Sequence, residues 1–70
     1  KDYQNAEKYY SQAIDLNPNR YGPIYKNRAF SRLHLNRNQD AKQDLIFYLE
    51  KTPNAQDREH ITEALKSLSI

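Results

Sequence analysis

The sequence predicts an all-α fold of antiparallel helical hairpins, about four helices in all. Three observations carry this reading. Apolar residues recur at i, i+4, i+7 and i+8 from Ala6 (Tyr10, Ala13, Ile14) and again from Ala41 (Leu45, Tyr48, Leu49). Each stretch closes on a proline at +12, Pro18 and Pro53, and both the alanines and the prolines stand 35 residues apart. An internal period of about 34 residues with helical spacing inside each unit means a repeated hairpin, because one hairpin cannot bury its apolar stripe alone and must stack on neighbours.

The first helix is expected over Tyr3–Leu16. Asp2 suits its start, since a carboxylate there accepts from the free backbone N–H groups of the first turn. Asn17, Pro18 and Asn19 end it, because Pro lacks the next donor and restrains the residue before it. The second helix opens at Gly22–Pro23, with Pro in the first turn where its missing N–H is unpaired anyway, and runs to about Leu35. Tyr25, Ala29 and Leu33 face its neighbours, while Pro23, Lys26, Phe30, Leu33 and Arg37 gather on another arc with Asn27 and His34 beside them. After the polar turn Asn36-Arg37-Asn38, the third helix spans about Gln39–Lys51 with Ala41, Leu45, Tyr48 and Leu49 as its buried stripe, flanked by Ile46 and Phe47. A fourth helix, about Gln56–Leu68, has Asp57 and Glu59 in its first turn, where negative charge suits the helix dipole. Its one apolar seam is Ile61, Ala64, Leu65 and Leu68, and its other faces are polar, as expected of a helix that covers the end of a stack.

Asp2-Tyr3 with Ala6, Tyr10, Ala13 and Pro18 resembles the second helix of a tetratricopeptide repeat, whose motif carries an aromatic, a small residue, an aromatic, a small residue and a Pro at those steps. Tyr25, Ala29, Ala41, Leu45 and Pro53 match the complete unit in the same way, so the resemblance covers roughly the first 54 residues. It implies a right-handed solenoid in which residues 1–20 hold the second helix of an incomplete repeat, 21–54 a complete hairpin and 55–70 a capping helix. On this reading the partner of the first helix lies upstream of Lys1 and the fourth helix closes the array. Three positions depart from the pattern: Asn36 stands where the family usually has Gly, Arg32 where it has an aromatic, and the Tyr21-Gly22 junction is one residue longer.

Composition narrows the function classes. A chain of 70 residues buries only about 60% of its unfolded surface, which makes a self-sufficient core thin. Its mean hydropathy of −1.11 suits a solenoid without a deep centre. The absence of Cys excludes disulfides, thiolate zinc sites and thiol nucleophiles and fits any compartment, with the cytoplasm the expected one. No apolar run approaches the roughly 20 residues that span a bilayer, so no membrane partner is expected. The single Gly leaves no phosphate-cradling loop, and His34 and His60 lack metal-ligand spacing, so neither a cofactor nor a metal is expected. Asp40 and Asp44, at i and i+4, are read as solvated surface charges rather than an acid/base pair. No catalytic constellation emerges, and the chain is read as not an enzyme.

The binding signals are stronger. The resemblance implies that the first helix of each hairpin lines a concave groove, which gives peptide-binding character to Pro23, Lys26, Asn27, Phe30, Leu33 and His34. Lys26 and Asn27 offer donors to a peptide, and Phe30 and Leu33 offer apolar contact. Tyr25-Lys26-Asn27-Arg28-Ala29 also resembles the matching helix of chaperone-binding members, where the Asn helps clamp a terminal carboxylate. Only Asn27 carries over, because the downstream basic positions fall on Asp57 and Ile61, and the alternative for Asn27 is a bond to the neighbouring helix.

The charge of +2 is uneven: Arg20, Lys26, Arg28, Arg32 and Arg37 fall between Asp15 and Asp40 with no acid among them. That favours an acidic partner segment and gives nucleic acid, bound through residues 20–37, as a lesser alternative. The bland account pairs Arg28 and Arg32 with carboxylates of the first or third helix, such as Asp44, at about 0 to 1 kcal/mol for each exposed pair. Self-association through Tyr3, Ala6, Tyr10 and Ala13 is a further expectation. The closing segment, with Asp44-Leu45, Tyr48-Leu49-Glu50, Pro53, Asp57 and Ile61 to Leu68, is also similar to tails of bacterial transglutaminase-like proteins. That similarity implies, as the alternative to an interaction module, a structural or oligomerising tail of a larger enzyme.

Overall fold

The first helix starts where its sequence says it should. Asp2 accepts the Asn5 backbone N–H on Oδ1 at 3.1 Å, and α1 then runs over Tyr3–Leu16. The remaining helices are α2 over Pro23–His34, α3 over Asn38–Lys51 and α4 over Arg58–Leu68. The structure, a computed structural model, describes residues 2–17 and 22–68. The expected stop at Pro18 and the lengthened junction at Tyr21 lie outside the described residues.

Two connections show why particular residues sit where they do. Gly22 enters α2 with φ at +111°, a backbone that L side chains rarely adopt. A Cβ there would meet nothing within 4 Å, so the backbone angle and not crowding calls for glycine. At the end of α2, Asn36 holds φ at +64°. The Arg37 N–H donates to Arg32 O at 2.8 Å and the Asn36 N–H to Leu33 O at 3.1 Å, the paired bonds of a left-handed helix stop. Asn, which tolerates that conformation, thus does what glycine usually does at this point.

The fourth helix begins two residues later than expected. Ala55 N–H bonds to Thr52 O at 3.1 Å and Arg58 N–H to Ala55 O at 3.2 Å, so two tight turns use up Pro53 to Asp57. The helix proper opens when Asp57 O accepts the Ile61 N–H at 2.9 Å.

Among the described residues, packing runs only between sequence neighbours: α1 on α2, α2 on α3, α3 on α4. The core is centred on α3. Ala29, Ala41, Leu45 and Ile61 are fully buried, with Tyr25, Tyr48, Leu49 and Ile14 close behind. The Tyr25 and Phe47 rings meet at 4.6 Å across α2 and α3. Four helices in a row, each packed on the next, form the all-α fold of helical hairpins that the spacing predicts.

Candidate functional site

The two sides of α2 have different fates. Its inner side is occupied by an ionic network that ties α1, α2 and α3 together. Arg28 donates from Nε to Asp44 Oδ2 at 2.9 Å and from Nη2 to Oδ1 at 2.7 Å, a two-pronged pair. Arg32 donates to Glu7 Oε2 at 2.7 Å and to Asp44 Oδ2 at 2.8 Å, and Arg37 donates to Glu7 Oε1 at 2.6 Å. Burial pushes the Glu7 carboxyl up, but the hydrogen bonds from Arg32 and Arg37 outweigh it and hold the group below its ordinary value. For Arg28 the bond to Asp44 comes first among the causes that raise its pKa above the usual one. No buried side-chain nitrogen or oxygen among the described residues is left without a partner.

This network corrects one expectation and sharpens another. Asp44 is not a solvated surface charge: it is 5% exposed and holds two guanidinium groups. The pairing of Arg28 and Arg32 with Asp44 is present but largely buried, so it belongs to the core rather than to the surface. Arg32, placed where a tetratricopeptide motif has an aromatic, fills that space with a buried ion pair.

The outer side of α2 carries the six residues singled out for peptide binding. Pro23, Asn27 and His34 are exposed, whereas Lys26, Phe30 and Leu33 are half-buried, Phe30 and Leu33 resting on the core. Asn27 makes no hydrogen bond to another helix among the described residues. His34 stacks on Tyr3 of α1, ring centroids 4.0 Å apart and planes within 7°.

Lys26 is engaged. Its Nζ lies 2.6 Å from Asp57 Oδ2, and the Tyr48 hydroxyl donates to Asp57 Oδ1 at 2.7 Å. The Lys26 bond, then the Tyr48 bond, hold the Asp57 carboxyl below its usual range. Acceptance by Asp57, with burial, raises the Tyr48 phenol. Sequence reasoning gave Asp57 a helix-dipole role and a place where chaperone-binding members carry a basic residue, and gave Tyr48 only a place in the core. Their meeting with Lys26 joins residues 31 and 9 positions apart through the fold, and no local spacing signals it.

Lys26, Arg28, Arg32 and Arg37 therefore all face carboxylates, and Arg20 lies outside the described residues. Three carboxylates thus serve four cations of the basic segment, which leaves less bare positive charge than the sequence alone presents. On α1 the expected self-association stripe Tyr3, Ala6, Tyr10 and Ala13 is half-buried; the exposed large apolar residues there are Tyr9 and Leu16.

Two shallow depressions lie away from this face. One of about 480 Å³ follows the polar outer side of α4 along Arg58, Thr62 and Lys66, and one of about 320 Å³ is lined by Tyr9, Gln12, Ala13, Leu16 and Asn17. Neither involves α2. Among the described residues no group of three or more His, Cys, Asp or Glu could hold a metal, and no helix is long and apolar enough to cross a membrane.

Comparison with known proteins agrees with this architecture. The tetratricopeptide repeat family matches residues 1–66, and the chain belongs to that family, whose usual role is protein–protein interaction. A stretch of 54 residues is 41% identical to the Protein STIP1 homolog of Dictyostelium discoideum, covering 77% of this chain and 9% of that protein. The chain thus spans under a tenth of that relative's length. No solved structure gives a significant match.

Proposed function

We propose that this chain is a protein-interaction module that binds an extended segment of a partner protein along the outer side of α2. Pro23, Phe30 and Leu33 supply apolar contact, Asn27 bonds the partner's backbone, His34 offers a flat ring backed by Tyr3, and Lys26 forms one rim. On this reading α1 is the second helix of one unit, α2 and α3 are a complete unit, and α4 is the covering helix. One observation carries the proposal: Asn27 is exposed and has no hydrogen-bond partner among the described residues, on a helix whose inner side is pinned by three arginine–carboxylate contacts. A rigid helix with a free amide between apolar residues offers both donor and acceptor without having to reorganise.

The test is a heteronuclear NMR titration of the 70-residue chain with a mixed peptide library. Coherent shifts of Asn27, Phe30, Leu33 and His34 support the site. Shifts confined to Tyr9 and Leu16 that grow with protein concentration would instead identify self-association through α1 and sink the α2 proposal.

A further inference from the structure

Three elements converge on one carboxylate. Lys26 comes from α2, Tyr48 from α3, and Asp57 from the turn that opens α4. Each donor takes a different oxygen of Asp57, Lys26 Nζ taking Oδ2 and Tyr48 Oη taking Oδ1. Each donor also has a contact other than Asp57. Tyr48 is 4% exposed, its ring fixed in the core, and Lys26 Nζ lies 5.6 Å from the centre of that ring. An ammonium and a phenol aimed at the same point are what a carboxylate receptor requires, and such charge-assisted bonds are among the stronger ones. The side chains of Lys26 and Asp57 remain 26% and 29% exposed, so water and ligands reach the spot.

Given the α2 peptide site proposed above, we infer that Asp57 sets its specificity: its carboxylate fills the Lys26–Tyr48 donor pair from within, so the site takes a partner segment lacking an acid at this point. An incoming carboxylate meets a like charge at the turn and finds both donors taken. Removal of the Asp57 carboxylate turns the same spot into an anion subsite for carboxylate-bearing segments. The support is geometric, and the low pKa of Asp57 agrees with it by keeping the group charged at neutral pH.

The test compares the wild-type chain with Asp57→Ala and Asp57→Asn, titrated with acetate at constant ionic strength and read at the Lys26 side chain and the Tyr48 ring by NMR. The expected result is no saturable shift in wild type and a saturable one in Asp57→Ala, at acetate concentrations at least about tenfold below the highest at which wild type shows none, as one charge-assisted hydrogen-bond pair warrants. Asp57→Asn keeps an acceptor for Tyr48 and falls between. If Asp57→Ala releases α4, seen as loss of the buried Ile61 signals, the Asn variant decides. Equal acetate shifts in wild type and variants overturn the inference, and so does no shift in a variant whose α4 remains docked. A matched peptide with free and amidated C-terminus then separates the two proposals. Wild type should prefer the amide and Asp57→Asn should lose that preference. If no peptide binds α2 at all, the α2 site fails while the acetate result still stands on its own.

Discussion

Helices α1 and α3 carry the same pattern and reach different ends. Ala6, Tyr10, Ala13 and Ile14 correspond, 35 residues on, to Ala41, Leu45, Tyr48 and Leu49. The α3 set is buried throughout, whereas on α1 only Ile14 is. The contrast is sharper one position earlier, where Tyr9 is 66% exposed and its counterpart Asp44 only 5%. The cause is the number of neighbours: α3 lies between α2 and α4, while α1 packs on α2 alone among the described residues. In a stack of helices the stripe says which side can be buried, and the adjoining helices say whether it is.

That contrast can be broken by substitution at matched positions. Leu45→Ala should cost about 3 kcal/mol, the transfer loss plus an uncollapsed cavity, while Tyr10→Ala at the half-buried equivalent should cost roughly 1 kcal/mol. Urea denaturation at constant m-value checks this, and equal losses would mean that α1 is as deeply packed as α3. Asp44→Ala should cost roughly 2 to 3 kcal/mol because it strips Arg28 and Arg32 of a shared partner, whereas Tyr9→Ala should stay within about 0.5 kcal/mol.

Acid should loosen the two end helices before the middle pair. Glu7 on α1 and Asp57 before α4 both have folded pKa values below their unfolded ones, near about 4. Their stabilisation is complete above the unfolded values and is lost as pH falls through the folded ones. Stability should be level from neutral pH to about 5 and decline below that, less steeply in Glu7→Gln. Hydrogen exchange resolved by helix would show α1 and α4 opening first; a uniform response across all four would contradict the neighbour argument. The smallest effect expected is at the end of α2, where Asn36→Gly should stabilise by less than about 1 kcal/mol, since glycine adopts a positive φ without the Cβ penalty.

Much of the fold was legible in local chemistry. The Asp2 cap, Pro23 in the first turn of α2 and the Ala41-Leu45-Tyr48-Leu49 stripe each act within one or two helical turns, so the helices fall within two residues of where spacing puts them. The late start of α4 was not legible, because nothing in Ala55-Gln56-Asp57 forbids helix; two turns closed by i→i+3 bonds claim those residues instead. In the candidate site, the outward placement of Pro23, Asn27 and His34 follows from the helical period. The company kept by Lys26 does not, since helical periodicity orders residues along one element and is silent on what another element brings to it.

The sequence by itself determined the helices, their order and which side of each is apolar, because these depend on backbone hydrogen bonding and on spacing of 3.6 residues per turn. It also determined the repeat, since Ala6 to Pro18 and Ala41 to Pro53 are the same unit written twice. The tertiary structure alone decided which charges are free. Five cations in a run look like a basic surface, yet Glu7, Asp44 and Asp57 arrive from three other parts of the chain to meet four of them. Charge is conserved along a sequence, but the field a surface presents is set by pairs brought within a few ångströms, and only folding brings them there.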